Sequence, residues 1–210
     1  MKQPPIAKEG LVLICLSLVL AILLFVLNVT VVASLIFAFC LFCLFFFRNP
    51  KRSHSSSENE LISPADGKVT EIKEMTEGEF ITDASTRISI FMSPLDVHVN
   101  RAPCEGRVMK VEHRRGEFAL AFKKDIDKEN ERNFILLEHE EERILLVQVA
   151  GFLARRITSY VHPEDRVGKG DAVGIIAFGS RVDIYFPREY TVTVSLHDKV
   201  KAGKTVLARK

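Results

Sequence analysis

The chain has 210 residues, of which 47% are hydrophobic, with 29 Lys and Arg against 27 Asp and Glu. That length can hold one large or two small domains, and a net charge of +2 argues against bulk nucleic-acid binding. Three of the four cysteines (Cys15, Cys40, Cys43) fall in the apolar N-terminal stretch and only Cys104 lies beyond it, so there is no disulfide framework and no Cys/His zinc spacing.

Leu11 to Phe47 contains no charged residue. As one helix it would run about 55 Å, too long for a single crossing of a bilayer core of about 30 Å. Asn28-Val29-Thr30 sits near its middle. The stretch therefore reads as two short spans, about 11–27 and 31–47, joined by a tight turn. One long tilted helix is the alternative. A signal peptide fits poorly, because the apolar run continues far past a normal signal core and no small-residue cleavage site stands out. Lys2 and Lys8 precede the first span, and Arg48, Lys51 and Arg52 follow the second. A hairpin puts both basic flanks on one side, and basic flanks face the cytoplasm. The expectation is a membrane hairpin over 1–48 in the cytoplasmic (inner) cell membrane, with the rest of the chain on the cytoplasmic face.

Residues 49–60 are polar and serine-rich and read as a linker. From Leu61 the pattern is β: short Val-, Ile- and Phe-rich runs broken by Gly, Pro and Asp. The predicted strands are 68–74, 79–82, 87–92, 107–113, 117–121, 133–138, 143–149, 173–178, 182–186 and 191–196. Segment 152–161 fits no pattern clearly, and no long amphipathic helix is evident. Without Lys2, Lys8 and Glu9, this part carries 27 basic and 26 acidic residues, so any anion site must be local.

Two internal echoes follow. Pro64-Ala65-Asp66-Gly67-Lys68-Val69 matches Pro103-Cys104-Glu105-Gly106-Arg107-Val108, and Asp165 to Val173 matches Asp198 to Val206. Each copy reads as a turn feeding a strand. Such paired turns are similar to those of the barrel-sandwich hybrid of biotinyl and lipoyl carrier domains. The expected fold is thus mainly β, a barrel-sandwich-hybrid-like domain over 61–210 made of two similar halves.

The candidate chemical groups stand against that background. Phe178-Gly179-Ser180-Arg181 interrupts what would otherwise be one long strand from Val173 to Phe186. A Gly-Ser pair in a β-rich chain is usually a bulge or turn. Glycine also permits strained backbone in which the following hydroxyl can reach back to the glycine carbonyl. Asp66 precedes a glycine, as ordinary turn residues do. Asp96, His98 and Asn100 alternate with Leu95, Val97 and Val99, so an extended segment would put the three polar side chains on one face. Arg155 and Arg156 sit in an apolar stretch, where two guanidinium groups need an anion or carboxylate partner; internal salt bridges would serve equally.

Five segments stand in order: Ser63-Pro64-Ala65-Asp66-Gly67, Ser93 to Pro103, Asn130-Glu131-Arg132, Ala150-Gly151 through Arg155-Arg156-Ile157, and Phe178 to Asp183. With them the chain resembles the phosphatidylserine decarboxylase proenzymes, specifically their short-chain branch, over about residues 61–190. The resemblance implies self-cleavage between Gly179 and Ser180 into a β chain (1–179) and an α chain (180–210). It also implies conversion of Ser180 into a covalent pyruvoyl group, which takes the amine of membrane phosphatidylserine as a Schiff base and releases phosphatidylethanolamine and CO₂. No metal and no diffusible cofactor is implied, and there is room for a homo-oligomer.

One departure matters. Longer members carry two histidines in the segment matching 98–101, and their second histidine pairs with the aspartate of the Pro-x-Asp-Gly motif in self-cleavage. Here His98 holds the first position and Arg101 the second, the arrangement implied for the short branch; arginine is a poor base. Asp66 is therefore assigned as base or base-orienting group, His98 to proton transfer, and Arg101, Arg155 and Arg156 to lipid phosphate or substrate carboxylate. Two rivals are weighed. A membrane-anchored carrier or adaptor module would explain the hairpin and the paired turns, but a carrier's modifiable lysine, in Met-Lys-Met or Asp-Lys-Ala, is absent. A pyruvoyl decarboxylase for another lipid, such as archaetidylserine, would share every residue named.

Overall fold

A computed structural model of the chain describes residues 4–53, 57–116, 130–151, 157–177 and 180–210. It divides into two compact units, Met1–Lys51 and Arg52–Lys210.

The first unit is a helical hairpin of α1 (Lys8–Val26) and α2 (Thr30–Phe46). The helix α1 is long and apolar enough to cross a membrane, with mean hydropathy 2.8, and α2 is an apolar helix of 17 residues. Asn28 turns the chain with φ 62°, a left-handed conformation that asparagine accepts readily. The buried faces are Gly10, Ile14, Ser17 and Ala21 on one helix and Ala33, Cys40, Cys43 and Phe46 on the other. Small residues at the seam let two apolar helices approach closely; a Cβ at Gly10 would lie 2.3 Å from the Phe47 ring. The Ala7 N–H donates to the Phe47 carbonyl at 2.8 Å, so the basic flanks meet at one end. Leu16, Val19, Phe25 and Leu35 are each more than 60% exposed, apolar surface of the kind a bilayer covers.

The second unit is built of strands: β1 (Glu60–Ile62), β2 (Gly67–Thr76), β3 (Ala84–Met92), β4 (Val99–Arg101), β5 (Gly106–Arg114), β6 (Arg132–His139), β7 (Glu142–Ala150), β8 (Ile157–Ser159), β9 (Arg166–Val167), β10 (Ala172–Ile176), β11 (Ser180–Pro187), β12 (Thr191–Val192), β13 (Lys199–Val200) and β14 (Val206–Arg209). A curled eight-stranded sheet has the order β13-β2-β3-β11-β7-β6-β5-β9, and two three-stranded sheets have the orders β1-β14-β12 and β4-β10-β8. All described pairings are antiparallel.

The two sequence echoes become a structural repeat. At one edge of the large sheet Gly67 pairs with Val200, and at the other Gly106 pairs with Val167. The Val69 N–H donates to the Asp198 carbonyl at 3.0 Å, and its counterpart Val108 donates to Asp165 at 2.8 Å. The Gly203 N–H donates to Ser63 and Gly170 to Ala102, both at 2.9 Å. Even the backbone strain is repeated, since Glu164 and His197 take φ 76° and 75° and Gly170 and Gly203 take 83° and 70°. The mainly β fold with two similar halves is what forms, and turn chemistry made it legible.

The large sheet is buried on both faces. One face carries Val69, Ile88, Ile90, Met92, Val182, Ile184 and Leu146, packed against Leu61, Val173, Ile176, Leu207 and Ala208 of the small sheets. The other carries Leu145, Val147, Val149, Phe134 and Tyr185 beneath Phe80 and Ile81. Burial on both sides is why β6, β7 and β11 read as continuous apolar runs rather than alternating ones.

Three strand expectations need correction or limitation. Segment 79–82 is a loop, not a strand: the Glu77 carboxylate accepts the N–H groups of Glu79, Phe80 and Ile81 at 3.0, 2.6 and 3.1 Å, and the apolar pair covers the sheet. Glu77→Ala is expected to cost about 1–3 kcal/mol by orphaning these donors, read as a lower urea midpoint. The strand expected at 191–196 stops at Val192, because Ser195 to Asp198 forms a turn in which the Asp198 carboxylate accepts the Ser195 N–H at 2.8 Å. The strand expected at 117–121 lies outside the described residues.

Candidate active site

Ser180 opens β11, the strand between β3 and β7 in the large sheet. Its register partners are Met92 and Ala150. Both belong to the main core, as do Val182 and Ile184, and side chains two apart on a strand share a face. The Ser180 side chain therefore points into the main core. It is fully buried, and its Oγ has no hydrogen-bond partner among the described residues. An unpaired buried hydroxyl costs about 1–3 kcal/mol and needs a reason. Gly179, with Arg155 and Arg156, lies outside the described residues.

His98 is fully buried. Its carbonyl accepts the Ile176 N–H at 3.4 Å, which ties it to the end of β10, four residues ahead of Ser180. Its Nδ1 lies 3.0 Å from the Asp96 carbonyl. A carbonyl only accepts, so Nδ1 carries the hydrogen and Nε2 is left as the nitrogen able to take a proton. Asn100 is 1% exposed, and its Nδ2 reaches Met92 Sδ, beside Ser180, at 3.5 Å.

The expected polar trio on one extended face is broken. Asp96 belongs to a turn, where its carboxylate accepts the Ser93 N–H at 2.8 Å and the Ser93 hydroxyl at 2.7 Å. The strand β4 starts only at Val99. Ser93-Pro94 starts a turn because proline fixes φ and serine and aspartate close the bend. Of the trio, His98 and Asn100 are buried and Asp96 closes the turn before them.

Asp66 sits in a second cluster. Its carboxylate accepts from Arg52 Nη2 at 2.8 and 3.1 Å and from the Ala202 N–H at 2.8 Å. The paired side chains are only 9% and 11% exposed, so removing either partner would strand a buried charge at a cost of about 3–5 kcal/mol. Arg101 joins this cluster. Its Nη1 donates to the Gly170 carbonyl at 2.8 Å. Burial and then the Arg52 charge pull the Arg101 pKa below the usual arginine value, while Asp66 and Asp171 oppose them. The structure thus places Asn100 beside Ser180 through Met92, ties the His98 backbone to the end of β10, and joins Asp66, Arg101 and Arg52 where the β1–β2 and β13–β14 turns meet the end of β4.

Other residues that hold the site had no role assigned from the sequence, although Asn130-Glu131-Arg132 stood among the five segments. Asn130 Nδ2 donates to the Ala150 carbonyl at 2.7 Å, and the Ala150 N–H donates to the Glu131 carbonyl at 2.9 Å. The Asn-Glu pair thereby pins the residue beside Ser180. Gln148, a lone amide in the apolar run of β7, bonds to Asn100 and Asn133; a polar residue in so apolar a run was the available signal. Cys104 is an unreactive neighbour of the fold, since burial pushes its thiol up to about 12.

A sequence model of the family "Phosphatidylserine decarboxylase" matches residues 39–208. A phosphatidylserine decarboxylase proenzyme of Carboxydothermus hydrogenoformans is 46% identical over 176 residues, 83% of each chain. Those of Syntrophus aciditrophicus and Desulfotalea psychrophila are 39% and 38% identical, covering 96% and 99% of this chain and 96% and 97% of theirs. The matched range contains Ser180, His98, Asn100 and Asp66, and the chain belongs to the phosphatidylserine decarboxylase family.

Proposed function

We propose that this chain is a proenzyme that cuts itself between Gly179 and Ser180 and then converts phosphatidylserine to phosphatidylethanolamine and CO₂. The observation that carries the reading is the buried Ser180 hydroxyl, without a partner among the described residues, at the head of a central strand in a member of this family. Ser180 Oγ adds to the Gly179 carbonyl carbon; the bond to the Ser180 nitrogen breaks, the nitrogen is protonated, and an ester remains. Loss of the Ser180 Cα proton expels the Gly179 carboxylate. Water then replaces the nitrogen, which leaves as ammonia, and residue 180 becomes a pyruvoyl group. The pocket fits that group, because the conversion removes a hydroxyl that has no partner among the described residues. The pyruvoyl carbonyl supplies an electron sink for decarboxylation of a bound amine substrate.

His98 Nε2 serves proton transfer, either from the attacking hydroxyl or to the decarboxylated substrate. Asp66, fixed by Arg52 and Ala202, is the base or base-orienting group of cleavage. Arg101, Arg155 and Arg156 are assigned to the lipid phosphate or substrate carboxylate. The apolar hairpin anchors the enzyme in the cytoplasmic membrane with its β unit on the cytoplasmic side, where basic flanks belong and where a lipid substrate is reached without leaving the bilayer. Intact mass measurement on the purified protein tests this. Two chains, residues 1–179 and residues 180–210 with no free amino terminus, are expected; a single uncut chain that releases no CO₂ from phosphatidylserine vesicles would overturn it.

A further inference from the structure

Three buried amides run beneath the start of β11. Asn133 Nδ2 donates to Gln148 Oε1 at 2.8 Å, and Gln148 Nε2 donates to Asn100 Oδ1 at 2.8 Å. Each residue is 1% exposed. The chain of amides has a direction, with one N–H of each amide on the next oxygen, and it ends on Asn100 Nδ2. The partner of that last donor is Met92 Sδ at 3.5 Å, a weak acceptor. Met92 is the register partner of Ser180 on the same core face, and directly opposed side chains have Cβ atoms about 4.5–5.5 Å apart. A strong donor with a weak partner therefore lies one side chain away from a hydroxyl with none among the described residues.

The surroundings are shaped to keep this chain of amides. Gly174 on β10 faces Asn100 in register, and a Cβ there would lie 2.9 Å from Gln148 Nε2 and 2.7 Å from the Thr158 carbonyl. Glycine weakens a strand interior, and here it leaves the space the Gln148 amide fills. Three amides among Ile, Leu and Val must be desolvated, and an all-apolar filling would avoid that. What the amides supply that leucines would not is an oriented N–H in a water-free site, where such a donor acts most strongly on developing negative charge.

We propose that Asn100 is the oxyanion donor of self-cleavage. Its N–H shifts from the Met92 sulfur to the oxygen that turns negative when Ser180 Oγ adds to the preceding carbonyl. Gln148 and Asn133 are positioning residues that aim it. The proposal rests on self-cleavage at residues 179/180 as proposed above.

The test follows cell-free synthesis into phospholipid vesicles, timing loss of the full-length chain for wild type, Asn100→Ala and the volume-keeping Asn100→Leu. The uncut Ser180→Ala chain provides the reference for folding by limited proteolysis. Both Asn100 variants are expected to match its protease resistance while cleaving about 100- to 1,000-fold more slowly than wild type. Hydroxylamine, which splits an accumulated ester, should not speed them, because the ester does not form. Gln148→Met should slow cleavage about tenfold with Asn100 still present, a loss of roughly 1.4 kcal/mol. Cleavage of Asn100→Ala within tenfold of wild type, scission restored by hydroxylamine, or loss of the resistant domain in both Asn100 variants would each overturn the assignment. If wild type itself stays uncut, the proposed function fails instead.

Discussion

Ser180→Ala should purify as a single chain of 210 residues and release no CO₂ from phosphatidylserine. Alanine has no oxygen to add to the Gly179 carbonyl, so neither cut nor pyruvoyl group can form, and the loss of activity is complete rather than graded. The variant should also be at least as stable as the uncut parent. The Ser180 hydroxyl is buried without a partner among the described residues, and removing a polar group that folding desolvates without reward relieves about 1–3 kcal/mol. Unchanged or raised Tm with a single mass would separate lost chemistry from lost fold. Two chains from Ser180→Ala would place the nucleophile elsewhere.

Gly67→Ala and Gly106→Ala should each lower stability by about 3 kcal/mol. For a domain of this size that is about 6–12 °C in Tm. A Cβ at Gly67 would lie 2.2 Å from the Phe91 carbonyl oxygen, and one at Gly106 lies 2.4 Å from that of Glu138. These neighbours are backbone, so no rotamer can move aside; β2 must part from β3, or β5 from β6. Measured in the uncut Ser180→Ala background, similar losses at the two positions are what a repeated architecture requires. A Tm within about 2 °C of the parent at either site would show that its half tolerates a side chain there.

Much of the fold could be read before any coordinates. An uncharged stretch from Leu11 to Phe47 leaves little choice but apolar helices, and Asn28 marked the turn. The long strands were legible from β-branched runs bounded by Gly and Pro, and the paired turns from their Asp-Gly and Gly-Lys chemistry. The short strands β1, β4, β9, β12 and β13 were not. Two or three residues hold no period, and their partners lie far off in sequence, as Glu60 with Arg209. Phe80 and Ile81 looked like a strand because an apolar pair covering a sheet and one inside it have the same composition. Within the site, Ser180 and His98 were legible through the family pattern. Arg52 was not, because it read as the last residue of a basic membrane flank, whereas its guanidinium reaches Asp66. Gln148 was hidden because a sheet buried on both faces erases the alternation that would have shown which way the amide points.

The place of β11 in the large sheet has a consequence for how the enzyme ages. The segment from Ser180 onward supplies a middle strand of one sheet, with β3 and β7 on its flanks, an edge strand beside β2, and the centre and one edge of the β1-β14-β12 sheet. The proposed cut ahead of Ser180 would therefore leave a molecule held by the same ladders, its two pieces no longer sharing a chain. The uncut proenzyme keeps both parts on one chain when it unfolds. The mature enzyme, once opened, would have to recapture a short strand-rich fragment from solution in competition with aggregation. Such a cut would exchange an equilibrium guarantee for a kinetic one: the lifetime of the working enzyme would be set by the height of its unfolding barrier, and every molecule would be folded for the last time before it first turned over.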